Sequence, residues 1–118
     1  MFAALCLSLA LAFTPLPADP AAAVVPEYAG GYCTEARITT YCPACNEPAG
    51  HGSASGVYLT AGHCACSWLP IGTHVAIDGE VFTVVDVCGT DAIDIFIDDD
   101  SGVCHCYLNE YRTVYIYE

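Results

Sequence analysis

The stretch AIDGEVFTVVDVCGTDAIDIFI, from Ala76 to Ile97, decides the predicted fold. It contains two runs rich in β-branched and aromatic residues, Glu80–Val87 and Ile93–Ile97, which are typical of strands. Asp78-Gly79 stands directly before the first run and is a hairpin signal, because both residues tolerate the positive φ of a two-residue turn. The stretch therefore predicts a hairpin followed by a further strand.

The rest of the chain favours the same class of fold. Short β-branched and aromatic runs alternate with Gly and Pro turns, and four of them predict strands: Ala36–Tyr41, Val57–Thr60, Thr73–Ile77 and Arg112–Tyr117. No segment has the apolar stripe of a helix, and only a short helical turn fits around Ser101–Asn109. The sequence thus predicts an all-β domain, and a small barrel is the architecture we expect.

Two carboxylates, Asp86 and Asp94, are placed among apolar residues of these strands. Strand alternation puts the isoleucines of positions 93–97 on one face, the expected core, and puts Asp94 and Phe96 on the other. Asp94 would then point outward beside an aromatic ring, as a groove residue does. Asp86 shares a face with Val84 and is predicted to need hydrogen-bond partners.

The N-terminal part of the chain predicts export. Residues Met1–Leu16 are apolar, uncharged in their side chains and too short for a transmembrane helix, which needs about 20 residues. They are typical of the apolar region of a secretory signal peptide. We expect a signal peptide over 1–23, a Pro/Ala/Gly-rich linker over 24–35 and one folded domain over 36–118, secreted and without a membrane association after cleavage.

The cysteines predict a disulfide framework. Nine are present, and Cys6 would leave with the signal peptide. An even number of cysteines in a short exported domain indicates disulfides, although spacing does not choose among the pairings. The eight cysteines expected to form them are Cys33, Cys42, Cys45, Cys64, Cys66, Cys88, Cys104 and Cys106.

Zinc is the alternative reading of the same residues. Cys42-x2-Cys45 has the spacing of a zinc knuckle, and histidines at 63 and 105 lie beside other cysteines. A four-cysteine site usually has two such pairs, and Cys104-x-Cys106 is spaced too closely for a good chelate. We therefore expect disulfides, no metal and no cofactor.

The charge excludes two classes of partner. The net charge is −12, with no Lys and with Arg37 and Arg112 as the only Arg residues. Binding to nucleic acid or to an anionic membrane requires basic residues, so neither is expected. The run Asp98–Asp100 has no glycine-spaced calcium loop around it and is read as a solvated turn.

One motif is misleading. VYLTAGHCAC, with His63, looks like the histidine motif of chymotrypsin-like proteases, and Asp94 and Ser101 follow in the order of that family. Such a protease needs two barrels, and the chain has room for one. We reject a catalytic triad on this ground.

Six short motifs follow one another along the domain: ITTYCPAC (Ile38–Cys45), SASG (Ser53–Gly56), LPIGTHVAIDG (Leu69–Gly79), VVDVCG (Val84–Gly89), AIDIFI (Ala92–Ile97) and YRTVYIY (Tyr111–Tyr117). In this order they resemble the three-aspartate (3D) domain family, found in secreted cell-wall proteins of Gram-positive bacteria and related to the membrane-bound lytic transglycosylase A family. The resemblance covers about 80 residues. It implies a double-psi β-barrel that acts on peptidoglycan.

The resemblance also implies roles for single residues. Asp94 matches the aspartate that cleaves the MurNAc–GlcNAc bond without water, and Asp86 matches a second family aspartate, either positioning or paired with Asp94 as acid and base. Ser55, Gly56 and Phe96 are expected to contact the glycan. The protein would be a monomeric lytic transglycosylase of the cell wall, working without a cofactor.

Two departures from the family pattern leave an alternative open. The first family aspartate falls on Ala65, and the loop between the other two is shortened to Val87–Ala92. Both changes favour a glycan-binding or accessory module that has kept the barrel and lost turnover. The sequence therefore predicts a cell-wall protein of one of these two kinds.

Overall fold

A computed structural model of the chain describes residues 30–118. Within this range the elements are six strands, which form a closed barrel in the order β1-β5-β2-β4-β3-β6. The all-β prediction is confirmed, and none of these residues belongs to a helix long and apolar enough to span a membrane. The strands are β1 (Tyr32–Tyr41), β2 (His63–Ala65), β3 (His74–Ile77), β4 (Glu80–Asp86), β5 (Ile93–Phe96) and β6 (Asn109–Tyr117).

The barrel mixes parallel and antiparallel neighbours. β1 pairs in parallel with β5, from Ile38 opposite Ile93 to Tyr41 opposite Phe96. β2 pairs in parallel with β4 and antiparallel with β5, and β3 pairs antiparallel with β6. Parallel neighbours cannot be joined by a tight turn, so the chain must cross over between them.

The predicted hairpin is confirmed. β3 and β4 are neighbours in the barrel and are joined by two residues alone. Asp78 and Gly79 have φ values of 51° and 85°, the left-handed region that a type I′ turn requires at both positions.

Other boundaries differ from the prediction. β1 begins at Tyr32, so four residues expected in the linker belong to a strand. The run Val57–Thr60 is not a strand, because the backbone N–H of Leu59 bonds to the carbonyl of His51 instead of a strand partner. The segment predicted as a helical turn, from Ser101, is irregular and then enters β6. The predicted signal peptide, 1–23, lies outside the described residues.

The contacts divide the chain into two compact units. The first takes residues up to Glu35, His74–Val81 and Thr113–Glu118, and it contains the pairing of β3 with β6, where Val75 and Ile116 are buried. The second takes Ala36–Thr73 and Phe82–Arg112.

The second unit has its own apolar cluster, formed by Tyr41, Leu59, Ala65, Val85 and Phe96. The prediction that Phe96 faces outward with Asp94 is wrong, since Phe96 is 2% exposed while Ile97 is 41% exposed. The ring of His51 lies 5.4 Å from that of Phe96 and covers this face of β5. Strand alternation cannot foresee such a covering loop.

Candidate active site around Asp94 and Asp86

Asp94 lies in the middle of β5, opposite Thr39 of β1 on one side and Ala65 of β2 on the other. The Thr39 hydroxyl donates a hydrogen bond of 2.8 Å to Oδ1 of Asp94. Within the part of the chain that the structure describes, Oδ2 of Asp94 makes no hydrogen bond, and the side chain is half-buried. This oxygen is therefore not committed to another group of the protein.

Burial raises the pKa of the Asp94 carboxyl above its ordinary value. The hydrogen bond from Thr39 favours the charged form and lowers this pKa in part, while the negative charge of Asp86 raises it. The net shift is upward, so Asp94 keeps its proton to a higher pH than an exposed aspartate does. A carboxyl of this kind is suited to act as a general acid.

Asp86, at the end of β4, has a different environment. It is buried and accepts three hydrogen bonds: from the Tyr41 hydroxyl at 3.0 Å, from the Ala54 N–H at 2.7 Å and from the Val87 N–H at 2.9 Å. The three donors supply the hydrogen-bond partners that the apolar context of Asp86 predicted. Both oxygens of Asp86 are hydrogen-bonded to groups of the protein itself, which indicates a positioning role.

The two aspartates lie on either side of Ala65. In the strand register Ala65 is opposite Asp86 of β4 and opposite Asp94 of β5, and it is 1% exposed. Ala65, on which the first aspartate of the resembled family would fall, thus occupies the position between Asp86 and Asp94. A carboxylate here would be buried beside two others.

The turn Ser53–Gly56 is attached to Asp86, because the N–H of Ala54 donates a hydrogen bond to this carboxylate. The Ser53 hydroxyl donates to the carbonyl of Val57 at 2.6 Å, and Gly56 has a φ of 88°, which closes the turn. Ser55 and Gly56 are exposed at its tip, where a glycan could reach them. Phe96 is buried, so it is not placed to stack on a sugar as predicted.

Tyr41 contributes to the site without having been predicted to do so. Burial, and then the charge of Asp86, raise the pKa of its hydroxyl, which therefore stays protonated and donates to Asp86. Its ring packs edge-on against Phe96, with centroids 5.2 Å apart. The signal available in the sequence is its place in the ITTYCPAC motif.

His51 closes a neighbouring loop and was also missed. Its Nδ1 lies 2.6 Å from the carbonyl oxygen of Leu59, and its Nε2 lies 2.7 Å from Oδ1 of Asp100. Both partners are acceptors, so the doubly protonated ring satisfies both. The Leu59 carbonyl, followed by Asp100, raises the pKa of His51. The ring also stacks on Tyr58, 4.4 Å away, whose side chain is 66% exposed.

Seven of the eight cysteines predicted to form disulfides do not form them, and Cys33 is the exception. Cys42, Cys45, Cys64, Cys66, Cys88, Cys104 and Cys106 are free thiols. Four of them, at positions 42, 45, 104 and 106, gather with their sulfurs within 4.8 Å of one another. No disulfide joins any two of these seven residues, so among them the prediction of disulfides is wrong.

Comparison with known proteins returns no relative. No protein-family model matches the chain, and no curated protein and no solved structure matches it. The relation to the three-aspartate family therefore stays a prediction, carried by the order of the six motifs. What bears on the function of this protein is therefore the geometry of the site.

Proposed function

We propose that this protein is a secreted lytic transglycosylase that cleaves the MurNAc–GlcNAc bond of peptidoglycan with Asp94 as its single acid and base. The observation that carries the proposal is the contrast between the two aspartates. Asp94 is half-buried and keeps Oδ2 uncommitted, whereas three donors occupy Asp86. One carboxyl is thus available for proton transfer, and the other organises the surroundings.

The reaction needs one group that gives a proton and takes one back. Protonated Asp94 donates its proton to the glycosidic oxygen as the bond from that oxygen to C1 of MurNAc breaks. The Asp94 carboxylate then accepts the proton of the muramic 6-hydroxyl, whose oxygen bonds to C1 and closes a 1,6-anhydro ring. No water is added, and Asp94 ends protonated as it began.

Thr39 and Asp86 support this cycle from the two sides. The Thr39 hydroxyl stabilises Oδ1 of Asp94 when the carboxylate forms, which leaves Oδ2 to face the glycan. Burial, and to a smaller extent the charge of Asp86, raise the pKa of Asp94, so the acid form persists to a higher pH than in an exposed aspartate. Asp86 also holds the N–H of Ala54 and thereby the turn carrying Ser55.

The architecture agrees with this proposal. A six-strand closed barrel with parallel pairs β1–β5 and β2–β4 has the crossover connections that a double-psi barrel needs, and we infer that type here. The predicted signal peptide would export the enzyme, and its partner would be the glycan strand of the cell wall. The proposed mechanism requires no cofactor, and the enzyme would work as a monomer.

The test is a digestion of purified peptidoglycan by the parent and by Asp94→Asn, with Glu80→Gln as a control. Glu80 is exposed at the start of β4, so its neutralisation tests the loss of a carboxylate elsewhere. Mass spectrometry of the soluble products should find anhydro-muramyl ends with the parent and the control and none with Asp94→Asn. Reducing ends instead would show a hydrolase and contradict the proposed mechanism.

A non-catalytic glycan-binding module is the second candidate. The observation that favours it is Ala65, which stands between Asp86 and Asp94 where the family has its first aspartate. Tyr58, exposed and stacked on His51, offers a rigid ring for a sugar. Under this reading the parent sediments with insoluble peptidoglycan without releasing products, and Tyr58→Ala weakens that binding.

A further inference from the structure

Two cysteine pairs that are distant in sequence meet at the end of β1. Cys42 and Cys45 belong to the turn that follows this strand, and Cys104 and Cys106 belong to the irregular segment before β6. All four sulfurs lie within 4.8 Å of one another. The Sγ atoms of Cys42 and Cys45 are 3.7 Å apart, and those of Cys45 and Cys106 are 3.9 Å apart.

These separations match a tetrahedral metal site. With zinc–sulfur bonds of about 2.3 Å, a tetrahedron of thiolates has sulfur–sulfur edges of about 3.8 Å. The Cys42–Cys45 and Cys45–Cys106 contacts lie on either side of that value. Disulfides fit less well, because both contacts involve Cys45, which can form only one such bond. A metal ion can use all four thiols at once.

The backbone around the pair Cys42 and Cys45 also favours thiolates. The N–H of Cys42 donates to Sγ of Cys45 at 3.1 Å. Backbone N–H groups of Cys45 and Ala44 point to the Cys42 sulfur. Amide donors aimed at sulfur stabilise the charged form, which is the form that binds metal.

The domain has no lysine or arginine side chain available to balance such thiolates. It lacks Lys, and its two Arg residues are engaged elsewhere, Arg37 with Asp91 at 2.7 Å and Arg112 with Glu110. A bound dication would supply the positive charge that the cluster needs.

We propose that Cys42, Cys45, Cys104 and Cys106 form a structural zinc site. Four thiolates in a closed tetrahedral set are typical of structural zinc. The close spacing of Cys104-x-Cys106 makes this pair a poor chelate on its own. In the fold, these two thiols lie beside Cys42 and Cys45, whose Cys-x2-Cys spacing is that of a zinc knuckle. The site is independent of the proposed activity.

The role of the metal would be to hold the segment before β6. Val103, Tyr107 and Leu108 of this segment are exposed, so they contribute little apolar burial. Its internal backbone bonding includes one hydrogen bond, from Tyr107 to the carbonyl of His105 at 3.1 Å. Metal ligation by two of its cysteines would therefore provide much of the free energy that orders it.

The experiment uses the full chain without an affinity tag, reduced, freed of metal and titrated with Zn²⁺ or Co²⁺. We expect one metal ion per chain, and visible cobalt bands of a tetrahedral thiolate site. Cys45→Ser and Cys106→Ser should each weaken zinc binding by more than about tenfold, since even loss of an outer hydrogen-bond partner costs that much. Cys88→Ser removes a thiol outside the cluster and should bind zinc like the parent.

A second readout needs no metal-bound spectrum. Removal of the metal by a chelator should speed chymotryptic cleavage after Tyr107 in the parent and should not change the rate in Cys45→Ser. Because Cys45 is exposed, we expect this variant to fold like the parent. The proposal is overturned if zinc binds Cys45→Ser and the parent alike, if iron displaces zinc at equal concentration, or if the exported chain carries these four cysteines as disulfides by intact mass.

Discussion

Oδ1 of Asp86 accepts the backbone N–H of Ala54 at a distance of 2.7 Å. This contact joins the end of β4 to the exposed turn that carries Ser55 and Gly56. Ala54 precedes Asp86 by 32 positions in the chain. The buried carboxylate that the sequence offered as a second catalytic group is thus the support of the predicted glycan-binding turn. Its effect on activity would be exerted through that turn and through the pKa of Asp94.

Removal of the Asp86 carboxylate should destabilise the barrel strongly. Asp86→Ala leaves a tyrosine hydroxyl and two backbone N–H groups without their acceptor, at a cost of about 3 kcal/mol in the free energy of unfolding. Tyr41→Phe removes one of the three donors and should cost about 1 kcal/mol. Urea unfolding measures both, and equal losses in the two variants would contradict the three-donor arrangement.

Thr39 should set the alkaline limit of activity. Its hydrogen bond lowers the pKa of Asp94, so Thr39→Val should raise that pKa further. Because the proposed reaction needs protonated Asp94, we expect activity to be lost as pH rises through this pKa, and the variant should keep its activity to higher pH. The alkaline limb of kcat/KM against pH measures the shift, with Thr40→Val as control because Thr40 is opposite Ile95. An unmoved or lowered limb would count against Asp94 as the acid.

Ala65→Asp should raise the pKa of Asp94 while destabilising the fold. The new carboxylate would be buried between Asp86 and Asp94, and a like charge disfavours ionisation of its neighbours. We expect a loss of about 3 kcal/mol or more at neutral pH, shrinking as the pH falls and the carboxyls take up protons. Ala65→Asn adds similar volume without charge. Urea unfolding at acid and neutral pH gives the difference in stability between Ala65→Asp and Ala65→Asn. A difference that is the same at both pH values would refute the charge argument.

His51 should make stability depend on pH near neutrality. Its folded pKa is raised by the Leu59 carbonyl and by Asp100, so the stabilisation is complete below the unfolded pKa of about 6.5 and is lost as pH rises through the folded value. The melting temperature of the parent should therefore fall more from about pH 6 to about pH 9 than that of Asp100→Asn. A parallel fall in both proteins would exclude the pairing as the cause.

Local signals in the sequence predicted the parts of the fold that depend on neighbouring residues. The turn Asp78-Gly79 needs only its own two residues to adopt positive φ, and it lies where the sequence placed it. β5 was likewise found from its β-branched run. β2 was missed because it has three residues and a register shift between Cys64 and Ala65, which leaves no alternation to detect.

The candidate site is formed by contacts between residues far apart in the sequence, and less of it could be predicted. The apolar setting of Asp94 and the need of Asp86 for partners could be inferred from the flanking residues. The cover over Phe96 by His51 and the meeting of Cys45 with Cys106, 61 positions later, could not, since spacing within one segment does not show which segments meet. The same limit explains why the thiols were read as disulfides.

The parallel pairing of β1 with β5 also determines when the barrel can fold. Thr39 and Asp94, which meet across it, are 55 positions apart, so the contact order of this small domain is high. Domains dominated by such non-local pairing fold in milliseconds to seconds, because the loop entropy is lost before the contacts form. β1 must therefore wait for β5 to emerge, and Cys42 and Cys45, which follow β1, are exposed to the redox conditions of the compartment before Cys104 and Cys106 reach them. Under the proposed zinc site, this interval is the time in which metal and oxidant compete for the four thiols.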